Sequence, residues 1–75
     1  MNISDIMIHI NESLSKEELS TLENAMRKID GVISPRFNPG KEHLLMIAFD
    51  PEKTTTAALL GKTRAAGYTS QLVGA

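Results

Sequence analysis

The stretch from Leu14 to Leu19 most constrains what this chain can fold into, because it fixes where a helix begins. Ser15 is followed three residues later by Glu18, which is the spacing of a capping box. In a capping box the serine oxygen accepts a hydrogen bond from the backbone N–H of the glutamate, and the carboxylate accepts one from the N–H of the serine. Leu14 and Leu19 occupy the two positions of a hydrophobic staple around it. The sequence therefore predicts a helix that starts at Ser15.

Hydrophobic periodicity predicts the other elements. Ile6, Ile8 and Ile10 alternate with polar or flexible residues, which indicates a strand over 3–10 with these isoleucines on its inner side. The first helix is predicted to run to residue 30, ended by Gly31, and to bury Leu19, Leu22, Met26 and Ile29. Strands follow over 33–38 and 43–50, joined by Pro39-Gly40. A second helix over 54–66, capped by Gly67, has Leu59, Leu60, Thr63 and Ala66 inside, and a last strand covers 68–73.

The order of these elements is strand, helix, strand, strand, helix, strand. Right-handed crossovers then place both helices on one face of the sheet. The sequence therefore predicts an α+β fold: a ferredoxin-like βαββαβ sandwich with a four-stranded antiparallel sheet in the order 4-1-3-2. One domain is expected over 1–75.

Composition excludes several classes of function. The formal charge of -1 gives no electrostatic attraction for nucleic acid or an anionic membrane, and three scattered aromatic residues provide no base-stacking surface. The chain contains no cysteine, so thiolate metal sites and cysteine nucleophiles are excluded. No apolar run is long enough to span a membrane, and no signal segment is present, so a cytoplasmic location is expected. No serine has an acid and histidine partner by position, so an enzyme is not expected.

Three segments together resemble the heavy-metal-associated domain family, which includes copper chaperones and the metal-binding modules of metal-pumping ATPases. They are Asp30-Gly31-Val32 after the first helix, Ile47-Ala48-Phe49-Asp50-Pro51, and Ala65-Ala66-Gly67-Tyr68. The similarity covers nearly the whole chain. It implies the ferredoxin-like fold, metal binding or delivery, Cu(I) or another heavy metal as the ion, and a partner protein.

The chain departs from the family at the metal loop. Family members hold the metal on Cys-x-x-Cys, and these two positions correspond to Ser15 and Glu18 here. A hydroxyl and a carboxylate are hard ligands with little affinity for Cu(I). Tyr68 matches a tyrosine that bacterial members often place beside the metal loop. We therefore expect the fold to carry over, and no bound cofactor or thiolate-held metal.

Two other groups of side chains are weaker metal candidates. Glu12, Glu17 and Glu18 can form a hard-cation site only if their carboxylates converge, although Glu17 and Glu18 diverge around a helix. His9, Met7 and Met46 can form a thioether and imidazole site for Cu(I), because the first and third strands are neighbours in this fold. His43 has the inward parity of Leu45 and is expected at the exposed start of its strand.

The sheet face that no helix covers is predicted to carry an apolar patch. Its members are Met7, Leu44, Met46, Ala48 and Val73. Such a face is usually polar, and an apolar patch tends to mark a partner surface. The sequence therefore favours a non-enzymatic protein-interaction or self-association module with a degenerate metal loop. The alternative is a metal-binding or transport protein with His, Met or Glu ligands. A small-ligand sensor lacks recognisable pocket residues.

Overall fold

Six elements build the protein in the predicted order. The computed structural model describes residues 2–73, and the ends of the predicted domain, residue 1 and residues 74–75, lie outside this range. The elements are β1 (Ser4–Ile10), α1 (Lys16–Arg27), β2 (Val32–Asn38), β3 (Lys41–Phe49), α2 (Thr56–Ala65) and β4 (Ser70–Leu72). The strands form one antiparallel sheet in the order β2-β3-β1-β4. The ferredoxin-like fold and its strand order are confirmed.

The core lies between this sheet and the two helices. Alternate residues of β1 and β3 point toward the helices, as the period of two in the sequence predicts. The buried apolar side chains are Ile8, Ile10, Leu22, Met26, Leu45, Ile47, Phe49 and Leu59. Ile6, the third predicted inner isoleucine, is only partly buried and packs at the margin of this cluster. The opposite sheet face is left without a covering layer.

α1 begins where the capping box predicts but ends earlier than expected. Ser15 is the N-cap of α1, and Leu22 and Met26 are the buried residues of the helix. The helix stops at Arg27 with Lys28 as C-cap, so the predicted extension to residue 30 is wrong. Gly31 is therefore not the residue that ends the helix. It has a φ of +99° and leads the chain into β2.

Polar contacts, one of them buried, hold α2 to β4. Thr63 is fully buried, and its hydroxyl donates to the carbonyl of Leu60 at 2.7 Å and lies 2.6 Å from the hydroxyl of Ser70. The Arg64 guanidinium donates to the Ser70 carbonyl at 2.9 and 3.2 Å. Ala66, predicted on the inner side, is exposed, because it is the C-cap and lies beyond the last packed turn.

β4 is shorter than predicted. It covers Ser70–Leu72, whereas the sequence suggested 68–73. Tyr68 instead packs against the core, and Thr69 lies in the connection between α2 and β4. Neither helix in the described range has the length and apolar character needed to cross a membrane.

Candidate functional site

The loop between β1 and α1 ends in the predicted capping box. The Glu18 backbone N–H donates to Ser15 Oγ at 3.1 Å, and the Ser15 N–H donates to Glu18 Oε1 at 2.8 Å. Both side chains therefore satisfy backbone amides that the first turn of α1 leaves without partners. The acidic residues in that turn also complement the positive end of the helix dipole. Ser15 and Glu18, which the resemblance predicts to stand at the family metal positions, form a helix cap in the structure.

Glu12 ties the same loop to the segment before β4. Its two carboxylate oxygens accept from the Thr69 backbone N–H at 2.8 and 3.0 Å. The Asn11 N–H donates to the Thr69 carbonyl at 2.9 Å, so both backbone groups of Thr69 are bound. The hydrogen bond from Thr69 lowers the pKa of Glu12 below its ordinary value. Glu12, predicted as a weak metal candidate, thus has a structural partner that the sequence did not reveal.

Tyr68 directly precedes Thr69, the residue that contacts the loop through Glu12 and Asn11. Burial raises the pKa of its phenol above 10.0, and the negative charges of Glu18 and Glu12 add to this effect. The influence of both carboxylates agrees with the predicted placement of Tyr68 beside the loop. In the described structure Tyr68 also contributes to the core by packing against it.

We expect the single tyrosine to report this environment in a spectroscopic titration. The phenol is neutral when protonated, so a raised folded-state pKa means that the native state holds the proton more tightly. The protonated Tyr68 phenol therefore contributes fully to the stability of the fold below the ordinary pKa of 10.0. This contribution is lost as the pH rises through the higher folded-state pKa. Absorbance near the phenolate band should give this folded-state pKa. Glu18→Gln should lower it, whereas Glu52→Gln should leave it unchanged, and an equal response of the two variants would contradict the assignment.

The uncovered sheet face, called the open face below, has an apolar centre and a polar rim. Met7 of β1 was predicted to come close to Met46 of β3, and the structure places the two directly opposite each other. Leu44 and Ala48 flank Met46 along β3. All four side chains are half-buried. Val73 is 41% exposed beyond the end of β4 and lines a groove of about 470 Å³ together with Met7 and Met46. The rim consists of Asp5, His9, Ser34, Arg36, Asn38 and Gln71.

The open face gives little support to the predicted thioether site. The Met46 sulfur lies 3.0 Å from Asn38 Nδ2 and accepts a weak hydrogen bond from it. His9 lies opposite Leu44 and not opposite either methionine. Its ring nitrogen Nδ1 is 3.1 Å from Asn11 Oδ1.

The two histidines are brought together in a way that the sequence did not predict. The imidazole rings of His9 and His43 are stacked, with centroids 5.8 Å apart and planes inclined by 13°. His43 is exposed, as expected, and its Nδ1 lies 2.7 Å from the Ile10 carbonyl oxygen. Among the described residues, no group of three or more His, Asp or Glu side chains is placed to hold a metal ion.

Comparison with known proteins gives one curated relative and several similar structures. The chain is 42% identical over 52 residues to the mercuric transport protein periplasmic component of Shewanella putrefaciens. The match covers 69% of this chain, which spans a little over half, 56%, of that relative. No protein-family model matches the chain.

Three examples represent the solved structures that share this architecture. Oxidized MerP from Ralstonia metallidurans CH34 superposes with a TM-score of 0.85 at 20% identity, covering 97% of this chain and 100% of MerP. The N-terminal domain of a potential copper-translocating P-type ATPase from Bacillus subtilis, Cu(I)-loaded, gives 0.85 at 18% identity, with 97% and 90% covered. The CopZ metallochaperone gives 0.78 at 20% identity, with 93% and 100% covered. The resemblance to heavy-metal-associated domains is confirmed.

This chain therefore has the fold of heavy-metal-associated domains but contains no cysteine. The similarity to the solved structures establishes the fold, and the Cu(I) of the Bacillus subtilis domain belongs to that protein. The predicted cytoplasmic location stays a prediction, since the curated relative is by its name a periplasmic component. The roles of Thr69 and His43 were missed because each depends on a partner distant in sequence.

Proposed function

We propose that this chain is a non-enzymatic protein-contact domain that pairs with a second copy of itself through the open face. Its metal loop acts as a helix cap and holds no thiolate-bound ion. The capping box supports the role of the loop as a helix cap, because the side chains of Ser15 and Glu18 each accept from a backbone amide, at 3.1 and 2.8 Å respectively. The proposed pairing of two copies rests on the apolar centre of the open face and on the charges of its rim.

The apolar centre supplies the attraction. Met7, Leu44, Met46 and Ala48 lie on adjacent strands in register and form one continuous strip. Methionine adapts its shape to a partner surface, so this composition suits contact better than it suits a rigid interior. Removal of such a strip from water is favourable in proportion to its apolar area.

The charges of the rim suit a symmetric pair. Asp5 lies opposite Ala48 on the β1 side of β3, and Arg36 lies opposite Met46 on the β2 side. Both side chains are exposed. In an isologous contact the same patch is used twice. A two-fold axis that runs obliquely across β3, within the contact plane, exchanges the two positions, so Arg36 of each copy faces Asp5 of the other.

The size of the open face indicates a weak pair. At a rise of about 3.3 Å per residue and a strand spacing of about 4.8 Å, strands of 7, 7, 9 and 3 residues give a footprint of roughly 400 Å² on each copy. A stable interface buries about 800 Å² on each partner. We therefore expect a reversible dimer that forms only at high concentration.

Sedimentation velocity over a concentration series tests this proposal. The natural chain should move from monomer to dimer, and Met46→Glu should weaken association about tenfold or more because it places a charge in the apolar centre. Thr21→Glu is the matched control, since it adds the same charge on the exposed surface of α1 and should leave association unchanged.

A charge exchange tests the predicted geometry. Asp5→Arg and Arg36→Asp should each weaken the dimer by placing like charges face to face, and the double variant should restore it. A chain that stays monomeric at every concentration would overturn the proposal. Equal effects of Met46→Glu and Thr21→Glu would also overturn it, because they would place the contact elsewhere.

A further inference from the structure

Two of the methionines that the structure describes lie on the open face, and the third lies in the core. Met7 and Met46 are half-buried on adjacent strands, whereas Met26 of α1 is completely buried. We propose that Met7 and Met46 form an oxidation site, at which a peroxide converts each thioether to a sulfoxide and thereby makes the open face polar. The effect on association rests on the proposed pairing of two copies, whereas the oxidation site itself does not.

The composition of the chain directs an oxidant to methionine. Thiolates are readily oxidised by peroxides, and the chain contains no cysteine. Methionine is the other sulfur-containing side chain, and its conversion to the sulfoxide is a common oxidative modification. Methionine is therefore the expected target of a mild two-electron oxidant in this protein.

Access to solvent distinguishes the methionines of the open face from the one in the core. Met7 and Met46 both line the groove of about 470 Å³, which has room for a molecule as small as hydrogen peroxide. Met26 has no exposed surface and belongs to the apolar core cluster. Susceptibility to oxidation follows exposure. Met7 and Met46 can therefore react in the folded state, whereas oxidation of Met26 requires the core to open.

The reaction is a two-electron oxidation of sulfur. A lone pair of the thioether attacks one oxygen of hydrogen peroxide, the O–O bond breaks, and an S–O bond forms. The departing hydroxide takes the proton from the transferred hydroxyl group and leaves as water. Sulfur gives up two electrons and the peroxide accepts them, so no further reactant is needed.

Met46 has a neighbour that can stabilise its sulfoxide. Asn38 Nδ2 lies 3.0 Å from the Met46 sulfur and donates a weak hydrogen bond to one of its two lone pairs. The second lone pair remains for the oxidant. A thioether sulfur is only a weak acceptor, and a sulfoxide oxygen is a much stronger one, so the Asn38 amide can donate a better hydrogen bond to the product. The oxidised side chain thus has a polar partner on the open face.

Oxidation changes the character of the surface through which two copies are proposed to pair. Met7 and Met46 supply two of the four side chains in the apolar centre, and each sulfoxide is polar. Burial of a polar group without a new partner costs free energy, so oxidised copies should pair less tightly. Pairing in turn shields the two sulfur atoms, so association and oxidation compete for the same surface.

Limited treatment of the natural chain with hydrogen peroxide, at a concentration where it is monomeric, tests the site itself. Peptide mass mapping with fragmentation assigns each added oxygen to a residue. We expect Met7 and Met46 to be oxidised at least about tenfold faster than Met26, which is the internal control. In urea that unfolds the chain, the three rates should become similar. Equal rates for Met26 and Met46 in the folded protein, or selectivity that persists in urea, would overturn the proposal.

Sedimentation velocity of the oxidised chain tests the effect on association. Peroxide treatment should weaken pairing about tenfold or more. The Met7→Leu, Met46→Leu variant is the matched control, since it keeps the apolar centre and should pair as the natural chain does, with or without peroxide. Unchanged pairing of the oxidised natural chain would overturn the effect on association. A natural chain that does not pair before treatment would contradict the proposed function, and the mass mapping then decides the oxidation site by itself.

Discussion

A Ser15→Cys, Glu18→Cys double variant is expected to gain tight binding of one Cu(I) ion that the natural chain lacks at this loop. The side chains at these two positions already meet at the start of α1, where each bonds the backbone of the other. Thiolates are the soft ligands that Cu(I) prefers, and a helix N-terminus lowers the pKa of a cysteine. Competition with a chromogenic Cu(I) chelator under reducing conditions measures the affinity.

The control for this gain has the same number of thiols in a different geometry. Ser13→Cys, Glu17→Cys places two cysteines at other exposed positions of the same segment, and Glu17 points about 100° away from Glu18 around the helix. We expect this control to bind Cu(I) about a hundredfold more weakly or worse. If the natural chain competed for Cu(I) as well as the Ser15/Glu18 variant, the loop would be a metal site in its present form.

Loss of the helix cap in the Ser15→Cys, Glu18→Cys variant should lower the free energy of unfolding by about 0.5–2 kcal/mol.

Among the glycines that the structure describes, Gly31 is expected to be the one whose replacement by alanine destabilises the protein most. Gly31 has a φ of +99°, and a Cβ there would lie 2.8 Å from the Cβ of Lys53 and 3.3 Å from the backbone nitrogen of Thr54. The variant thus combines backbone strain with a steric clash, for a cost of about 3 kcal/mol. A domain of this size has only a few kcal/mol of net stability, so a large part of it would be lost.

Gly67→Ala isolates the clash from the strain. Gly67 has nearly the same φ, +100°, and among the described residues no atom beyond its immediate chain neighbours lies within 4 Å of an added Cβ. Its cost should be the strain alone, about 1–2 kcal/mol. Thermal unfolding should place the midpoint of Gly31→Ala below that of Gly67→Ala, by about 4–8 °C for each kcal/mol of difference. Equal midpoints would mean that the segment at Lys53 and Thr54 moves away freely.

Local patterns predicted the fold because each depends on residues close in sequence. The period of two in β1 identified Ile8 and Ile10 as buried, and a spacing of four residues identified Leu22 and Met26. The sequence predictions were wrong where tertiary contacts override the local hydrophobic pattern. α1 ends at Arg27 and not at residue 30, since the chain must turn so that the Gly31 carbonyl can accept from the Asp50 N–H at 2.7 Å.

The candidate site was predictable only in part. The sequence predicted that Met7 and Met46 come close, because alternation and strand order place them on one face of neighbouring strands. That they lie directly opposite each other depends on the strand register, which only the structure showed. It did not identify the Glu12 contact with Thr69 or the stacking of His43 on His9. These contacts depend on loop conformation and on side-chain rotation at the end of a strand, which no periodicity encodes.

The sequence by itself determined the helix cap at Ser15 and the absence of thiolate chemistry, because a capping box joins residues three apart and a missing residue type needs no coordinates. Only the tertiary structure decided which distant groups meet. His43 reaches the Ile10 carbonyl across 33 residues, and Glu12 reaches Thr69 across 57. Such pairs are set by strand register and loop closure, and these follow from the packing of the whole core.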